Sequence, residues 1–527
     1  MKNKHFPLSA LKKKQISQSS LTMYFVRTLF AVLMTAAAIL LFTRLSVNVY
    51  AEEINGGTYF ASSLKSKAAD IKFKSSATII MDQDLEKTSL IGADITITGT
   101  KTLSVKGSDA TIQADAFRIE NGAAVSLTVS SKKTTSFPFC LIAKSVTISN
   151  GELEINNGVD GGIYSYEGLT VDKGILKITS TSDPAVYTNF ANSAVTIKNT
   201  EIDLKTGDDA AINSEIVQIS NSSGSIYSHN SHGIYSRKRT SLKSSDLTIH
   251  GKNAAVASDE TIELDNSIYV KSPEHTKLSA AMVNGLHFNC VLCNSDGSPA
   301  ASVLLARRSL TAPLCTISSI ADQACTGAAV EPAISVFWEG TELKEGTDYT
   351  VTYRDNIQPG TAAATIKGIG NYTDSADIVF RITGLAPGKK AKVSGQTYKI
   401  LNSTSAAFIK AKNKKSVTVP ASVTIQDRIY AVTQINAKAF KAAKIRTVTI
   451  GKNVTTIKAN AFKGSSVSRL IIKTKLLKKK NVKNALKGSK IETAQIKAGK
   501  KSTIKKVRKA YMKFFTKKVL GRNILLE

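Results

Sequence analysis

The chain has 527 residues and a formal net charge of +31, from 71 Lys and Arg against 40 Asp and Glu. This length is too great for one core and indicates about three or four structural units, at roughly 100–200 residues per domain. Hydrophobic residues make up 42% and charged residues 21%, which is ordinary globular usage and excludes a wholly disordered chain.

The positive charge is confined to the two ends of the chain. Residues 1–51 contain seven basic and no acidic residues, residues 52–384 contain 28 basic against 37 acidic, and residues 385–527 contain 36 basic against three acidic. The three segments therefore carry +7, −9 and +33. An electrostatic partner is expected to bind the C-terminal segment alone.

Residues 1–51 have the order of an export signal. Basic residues precede an apolar run at 28–42, and Val49-Tyr50-Ala51 places small or apolar residues just before acidic Glu52. This order predicts a signal peptide cleaved after Ala51, which leaves a secreted or cell-surface chain with a net charge of +24. The alternative is an uncleaved membrane anchor at about 28–43, although the apolar run is shorter than the ~20 residues of a spanning helix.

Five cysteines in an exported chain cannot all pair within one molecule. Cys315 and Cys325 could close a small disulfide loop, and Cys290 and Cys293 have the spacing of a redox or metal pair. Neither a second Cys-x-x-Cys nor a His pair completes a zinc site. We therefore predict mainly unpaired thiols, no metal site and no cofactor.

Residues 52–299 contain short Val, Ile, Thr and Leu alternations bounded by Gly, Asn, Asp and Ser, which predict strands and tight turns. A small residue followed by an apolar residue recurs, and the apolar positions are 23, 26, 22 and 22 apart: Ile163, Val186, Ile212, Ile234 and Val256. A second series recurs every 20–25 residues: Val146, Val171, Val195, Val217, Leu242 and Ile262. Such a period marks a solenoid, and three short strands per coil predict a right-handed parallel β-helix.

This segment also resembles a known family. Thr206-Gly-Asp-Asp-Ala-Ala-Ile-Asn-Ser, followed by Val217-Gln-Ile-Ser-Asn and Ser231-His-Gly-Ile-Tyr, is similar to the bacterial β-helical proteins described as carbohydrate-binding domain-containing. The resemblance covers about residues 90–290. It implies a bacterial surface or secreted protein that binds carbohydrate through the β-helix.

A column of tyrosines is the candidate ligand-binding face. Residues beside an inward-facing strand residue face outward, so the positions after the apolar series form an exterior column, which Tyr166 joins. The column contains Tyr164, Tyr166, Tyr187, Asn213 and Tyr235. Aromatic faces beside amide and hydroxyl groups suit the CH faces and hydroxyls of a sugar. The alternative is a stacking ladder that only stabilises the exterior of the solenoid.

A polysaccharide lyase or hydrolase is a further alternative. Asp160, Asp183, Asp208 and Asp209 fall at similar points of successive coils, where carboxylates can bind Ca²⁺ or act as acid and base. Each precedes the start of a strand, which is typical of Asp bonding the backbone of a turn. Basic partners are limited to residues 237–239. We therefore predict no catalytic residue and no enzyme activity.

Residues 300–384 alternate strands and turns, which predicts a small β-sandwich. The run Leu343-Lys-Glu-Gly-Thr-Asp-Tyr-Thr-Val-Thr-Tyr-Arg-Asp-Asn356, with Gly368-Ile-Gly-Asn-Tyr372 after it, resembles bacterial Ig-like repeats of cell-surface proteins. The resemblance implies a spacer without a binding site. The chain departs from the family at Cys325, where Tyr is usual.

Residues 385–527 contain a second repeat. Val432-Thr-Gln-Ile-Asn-Ala-Lys-Ala-Phe440 recurs 22 residues later as Val454-Thr-Thr-Ile-Lys-Ala-Asn-Ala-Phe462. A strand followed by an Ala-Phe turn at this period predicts a leucine-rich-repeat coil, and the segment resembles the bacterial surface proteins called BspA-like. Residues 502–515 predict a short basic helix that caps the solenoid.

Lysine dominates the polar positions of this last segment. The predicted polyanion-binding residues are Lys473, Lys475, Lys478, Lys479, Lys480, Lys505, Lys506, Arg508 and Lys509. A field of this sign attracts polyanions in a salt-dependent manner. Wall teichoic acids, anionic polysaccharides and lipid headgroups are the polyanions that an exported protein meets, whereas nucleic acid is disfavoured. The alternative is that lysine only solubilises the repeat.

Together these features predict a non-enzymatic, monomeric cell-surface binding or adhesion protein. The β-helix is expected to bind glycans or glycoproteins, and the basic repeats anionic cell-wall polymers or host glycoproteins. A purely structural cell-wall protein and a β-helical lyase or hydrolase are the alternatives.

Overall fold

A computed structural model describes residues 51–108, 110–130, 138–157, 160–412 and 415–527, with the side chain of Lys501 excepted. The predicted signal peptide, apart from Ala51, and the alternative membrane anchor lie outside the described residues. The fold is mainly β, with 56% strand and 5% helix, as the sequence predicts. The chain divides into two compact units between Arg308 and Ser309.

The first unit is a parallel β-solenoid, which confirms the predicted β-helical class. Its strands β1 to β26 are, in chain order, Glu52–Ile54, Gly57–Phe60, Asp70–Phe73, Ala77–Met81, Leu85–Lys87, Ser89–Gly99, Thr102–Gly107, Thr111–Glu120, Ala124–Val129, Phe139–Ser149, Glu152–Asn157, Gly161–Asp172, Ile175–Thr179, Val186–Thr188, Ala194–Lys198, Glu201–Thr206, Ile212–Ser220, Ser223–Ser228, His232–Lys243, Asp246–Gly251, Ala254–Ser258, Thr261–Leu264, Ile268–Ser272, Lys277–Val283, Leu286–Cys293 and Ser302–Arg307. A helical turn, α1, spans Ala61–Leu64.

The described strands of this unit form a 16-stranded and a 10-stranded sheet, in which strands of successive coils pair in parallel. Alternate residues face the interior, as in β9, where Val125, Leu127 and Val129 are buried and their neighbours are not. The buried side chains form one continuous cluster from Ala61 to Leu305. Each coil therefore buries its apolar face by stacking on its neighbours.

The predicted repeat register is confirmed for the first series. Ile163 pairs with Val186, Val186 with Ile212, Ile212 with Ile234 and Ile234 with Val256. All five side chains are fully buried. The interval of 26 residues at Val186 is accommodated because strands β14 and β15 are separated by the loop at 189–193.

The second predicted series is wrong at two positions. Val146 pairs with Leu169 rather than with Val171, and Val217 pairs with Thr240 rather than with Leu242. Each assignment is off by two residues, a shift that leaves a strand residue on the same face. Val171 and Leu242 are therefore buried as expected, two ladder positions further along.

The solenoid extends to Arg308, past the predicted boundary at residue 299. Strand β26 returns antiparallel along β20, placing Leu305 opposite Leu247 and Val303 opposite Ile249. Both Leu305 and Val303 are buried in the solenoid core. Strand β26 lies between β20 and β23 in the 10-stranded sheet, so the residues from 300 to 308 belong to the solenoid.

The second unit begins with two small sheets. Strands β27 to β33 are Cys315–Ile317, Gln323–Ala324, Val336–Trp338, Thr341–Glu342, Tyr349–Arg354, Gly360–Gly368 and Ser375–Thr383. Strands β27, β29 and β30 form a three-stranded sheet, and β28, β33, β32 and β31 form a four-stranded sheet. Trp338 is buried against Tyr372, with ring centroids 5.7 Å apart.

The Cys315–Cys325 disulfide is absent, because all five cysteines are free thiols. Cys315 lies opposite Trp338 in the three-stranded sheet. Cys325 packs in a separate apolar cluster with Phe380 and Ile382, and its thiol lies 3.6 Å from the carbonyl oxygen of Ile357. The two thiols therefore belong to different packing environments.

The remainder of the second unit carries a second set of parallel strands. Strands β34 to β44 are Lys390–Val393, Gln396–Asn402, Ser405–Lys410, Ser416–Val419, Ser422–Ile425, Arg428–Ile435, Lys444–Ile450, Thr456–Ile457, Ser466–Ile472, Thr493–Ile496 and Leu525–Leu526. Strands β37, β40, β42, β43 and β44 pair in parallel, in that order, in a five-stranded sheet. Phe440 and Phe462 stack inside with ring centroids 4.5 Å apart, which confirms that the repeat stacks in register.

A basic helix follows, as predicted, but it ends at Met512, earlier than the predicted end at residue 515. Helix α2 spans Lys501–Met512, a 3-10 helix spans Lys479–Asn481 and a short helix, α3, spans Lys517–Leu520. Phe515 lies beyond the end of α2, where its ring stacks on Tyr511 at 5.0 Å. Among the described residues, none of the helices has the length and apolar character that crossing a membrane requires.

Candidate functional site

The predicted tyrosine column exists as a row of adjacent strand positions. Tyr164 pairs with Tyr187, Tyr187 with Asn213 and Asn213 with Tyr235. These side chains lie outside the solenoid core, because the residue before each of them is the one that faces inward. The outward direction that the sequence predicts is thus correct.

The expectation of an exposed column is wrong for Tyr164, which is fully buried. Its ring lies in an apolar cluster with Phe139, Ile142, Tyr166 and Tyr187. The centroid distances are 5.4 Å to Phe139, 5.0 Å to Tyr166 in an edge-on arrangement and 5.4 Å to Tyr187. Tyr164 therefore belongs to the packed wall of the solenoid and offers no ring face to a ligand.

Tyr166 and Tyr187 border this cluster and are half-buried. Burial raises the pKa of Tyr166 to about 12 and also raises the pKa of Tyr187. Both phenols are therefore neutral at physiological pH and can donate and accept hydrogen bonds. Both rings keep part of their surface exposed, and Tyr187 lies beside Asn213 on the neighbouring strand.

An arginine clamp, which the sequence does not predict, organises the next two coils. Arg237 donates from Nη1 to the Asn213 side-chain oxygen at 2.8 Å and from Nη2 to the Thr188 carbonyl oxygen at 2.6 Å, and its Nε pairs with Glu215. Lys238 donates to Asn192 at 2.7 Å. The contacts of Arg237 fix the orientation of the Asn213 amide.

The clamp depends on an irregularity in strand pairing. The register between β17 and β19 shifts at residues 214–216, where Glu215, Arg237 and Lys238 have no ladder partners. Bulges of this kind redirect side chains and are common beside binding sites. The basic run at 237–239 was the only sequence signal, and it does not reveal that Arg237 reaches across to Thr188.

Tyr235 does not join the aromatic cluster around Tyr164. Its hydroxyl donates to Asp259 at 2.8 Å, and its ring makes an edge-on contact with Phe288 at 5.9 Å. It packs against a separate apolar cluster that contains Ala257 and Phe288. The five predicted residues are therefore divided between an aromatic part and the Tyr235 part, with Asn213 held between them.

The turn aspartates make local contacts. Asp208 accepts from the Asn230 side chain at 2.9 Å, and Asp209 accepts from the backbone N–H of Ala210 at 2.6 Å. Burial raises the pKa of Asp209. Within the described ranges, no group of three or more His, Cys, Asp or Glu side chains is placed to hold a metal ion.

The Cys290 and Cys293 pair is not formed. Cys290 packs against the solenoid core, whereas Cys293 is buried in the cluster around Phe288. Residues three apart in a strand face opposite sides. The Cys-x-x-Cys spacing would suit a redox pair only if these residues formed a turn, and they lie in β25.

The predicted cationic residues of the second unit are all exposed, and the structure brings their two groups together. Lys473, Lys475, Lys478, Lys479 and Lys480 follow β42, and Lys505, Lys506, Arg508 and Lys509 lie on α2. The Tyr511 hydroxyl donates to the Thr474 carbonyl oxygen at 2.9 Å and accepts from the Leu477 N–H at 3.2 Å. These bonds dock α2 on the loop at 473–480, and we call the two groups together the lysine face.

A further column of lysines was not predicted. The Ala442 N–H donates to the Lys463 carbonyl oxygen, and the Gly464 N–H to that of Gly488, which aligns Lys441, Lys463 and Lys487 on successive coils. All three are exposed. Their spacing of 22 and 24 residues is visible in the sequence, but the alignment depends on the register of the turns.

These cations have few counter-charges. Over the described part of residues 385–527, one ion pair involves a side chain of the segment, between Asp427 and Arg381 at 2.6 Å. Arg508 donates to the Leu526 carbonyl oxygen at 2.6 Å, so it also has a structural role. The lysine side chains of the face therefore present their charge to solvent.

Comparisons of the chain with protein-family models, with curated proteins and with solved structures give no match.

Proposed function

We propose that this chain is an exported, non-enzymatic binding protein that attaches to anionic polymers of a bacterial cell envelope through the lysine face. Under this proposal the first unit is a right-handed β-helix, the two small sheets form an Ig-like spacer and the second solenoid is a leucine-rich-repeat module of the BspA-like type. These finer assignments rest on the sequence resemblances.

The observation that supports this function most directly is the concentration of exposed cations in a segment that contains few acidic residues. Residues 385–527 have 36 basic against three acidic residues, and the predicted cationic positions are exposed. An exposed lysine gains little from a single ion pair, whereas many lysines on one surface act together on a polymer of opposite charge. Such binding is salt-dependent and does not require a pocket.

Retention on isolated bacterial cell walls tests this function. The test variant changes Lys473, Lys475, Lys478, Lys479 and Lys480 to Gln, and we expect it to elute at clearly lower salt than the unmodified chain. The matched control makes the same change at five exposed lysines of the first unit, which form no ion pair in the described residues: Lys65, Lys74, Lys101, Lys252 and Lys271. Equal elution of all three proteins would contradict the proposal.

We propose carbohydrate binding by the first unit as a second function. The observation that favours it is the half-buried ring of Tyr187 beside the Asn213 amide, which Arg237 holds in place. A ring face next to fixed polar groups is the usual composition of a sugar site. A fixed amide also loses little conformational entropy on binding.

A glycan array tests the second function. We expect Tyr187→Leu to abolish or strongly reduce any specific signal, because it keeps apolar volume but removes the flat ring. Tyr187→Phe should retain most of the signal. Tyr227→Ala is the control, since Tyr227 is exposed on the other sheet of the solenoid. An unchanged signal in Tyr187→Leu would exclude this site.

A further inference from the structure

Two large apolar side chains are exposed within the lysine face. Leu476 is 42% exposed and Met512 is 60% exposed. Isolated exposed apolar residues occur on any protein surface. Leu476 lies within the lysine-rich loop at 473–480, next to Lys475, and Met512 is the last residue of α2, next to Lys513.

The two apolar residues belong to elements that are joined at one point. Met512 follows Tyr511, whose hydroxyl contacts Thr474 and Leu477 on either side of Leu476. Tyr511, Leu477 and Thr474 are buried, so the junction itself is packed. Leu476 and Met512 therefore lie next to residues that are held in place by buried contacts.

Exposed lysines together with the exposed side chains of Leu476 and Met512 are more than the binding of a dissolved polyanion requires. A dissolved polyanion such as polyphosphate is attracted through its charge, and that attraction does not require exposed apolar side chains amid the cations. An anionic bilayer attracts the cations through its headgroups and also accepts apolar side chains at the boundary of the acyl chains. Lysine stems can extend along this boundary while their ammonium groups stay with the headgroups.

We propose that the lysine face binds anionic lipid bilayers, with Leu476 and Met512 inserted among the headgroups. This inference rests on the proposed role of the lysine face in binding anionic components of the cell envelope and extends that role to a membrane surface. The interaction is peripheral, because it involves side chains of a folded unit and no spanning segment. Its affinity combines a salt-dependent part from the lysines with a salt-insensitive part from the two apolar residues.

The test is sedimentation of the full chain with vesicles of phosphatidylcholine that contain 30% phosphatidylglycerol, and with pure phosphatidylcholine vesicles. We expect binding to the anionic vesicles only. The Leu476→Ala/Met512→Ala variant should bind them about tenfold more weakly, from the lost apolar burial. Lys475→Gln should weaken binding about fivefold. Val379→Ala, an exposed apolar change in the two-sheet region, is the control and should bind normally.

Tryptophan fluorescence provides a readout of insertion. The chain has one Trp, which is buried Trp338, so Leu476→Trp introduces a second and exposed reporter. Its emission should shift to shorter wavelength on anionic vesicles and remain unshifted with inorganic polyphosphate.

Each result discriminates between the two proposals. Binding to polyphosphate without binding to vesicles would overturn the membrane inference and leave the attachment to anionic polymers standing. Vesicle binding with no emission shift and no effect of the Leu476→Ala/Met512→Ala change would also overturn it, because charge alone would then account for binding. Failure to bind either polyphosphate or anionic vesicles would overturn both proposals.

Discussion

At the scale of single residues, Tyr164 shows how an outward-facing side chain becomes part of a core. Phe139 and Ile142 come from the preceding coil and Tyr187 from the following one, and together they enclose the Tyr164 ring. Strand alternation predicts the direction of Tyr164 correctly. It cannot predict enclosure, because that depends on the side chains that neighbouring coils bring to the same spot.

Replacement of Tyr164 tests this structural role. We expect Tyr164→Ala to lower the free energy of unfolding of the first unit by about 3–5 kcal/mol, since it removes a fully buried ring and leaves a cavity. Tyr227→Ala, at an exposed position, should cost about 1 kcal/mol or less. Urea denaturation followed by circular dichroism measures both. Similar costs for the two variants would refute the buried role of Tyr164.

At the scale of elements, strands and their period were predictable, whereas closures and contacts between coils were not. The series through Ile163 and Ile234 gives the correct register, because a small residue precedes each apolar position and fixes the alignment. The series through Val171 slipped by two residues, because inward positions two apart have the same chemistry. The sequence did not reveal that β26 belongs to the solenoid, because this strand returns antiparallel and therefore lies outside the repeat.

In the candidate sites, too, the sequence predicts the strands and the helix but not the contacts between them. The lysines after β42 and on α2 are readable from the sequence, but their junction at Tyr511 depends on a tertiary contact across 37 residues. The clamp at Arg237 depends on a bulge and on a contact to Thr188 that lies 49 residues away. Contacts between residues so far apart in the chain produce no recognisable pattern in a single sequence.

At the scale of the whole molecule, charge divides the chain into parts with different chemistry. Residues 52–384, which hold the first solenoid and the two small sheets, carry −9, and ion pairs of the solenoid join neighbouring coils, such as Lys72 with Glu53 and Lys144 with Asp115. The segment at 385–527 carries +33, and its lysines are unpaired within the described residues. Under the proposed functions, recognition by the first unit would therefore depend on shape and hydrogen bonding, and recognition by residues 385–527 would depend on charge.

The central claim is that affinity for anionic polymers lies in the lysine face. The most direct measurement is the dissociation constant of the full chain for soluble polyphosphate between about 50 and 200 mM salt, a range over which multivalent charge contacts weaken strongly. We predict a steep loss of affinity with salt, and a weaker, flatter dependence when Lys473, Lys475, Lys478, Lys479 and Lys480 are changed to Gln. The five-lysine control in the first unit should behave as the unmodified chain. Salt-independent binding, or an equal loss in the control, would contradict the account.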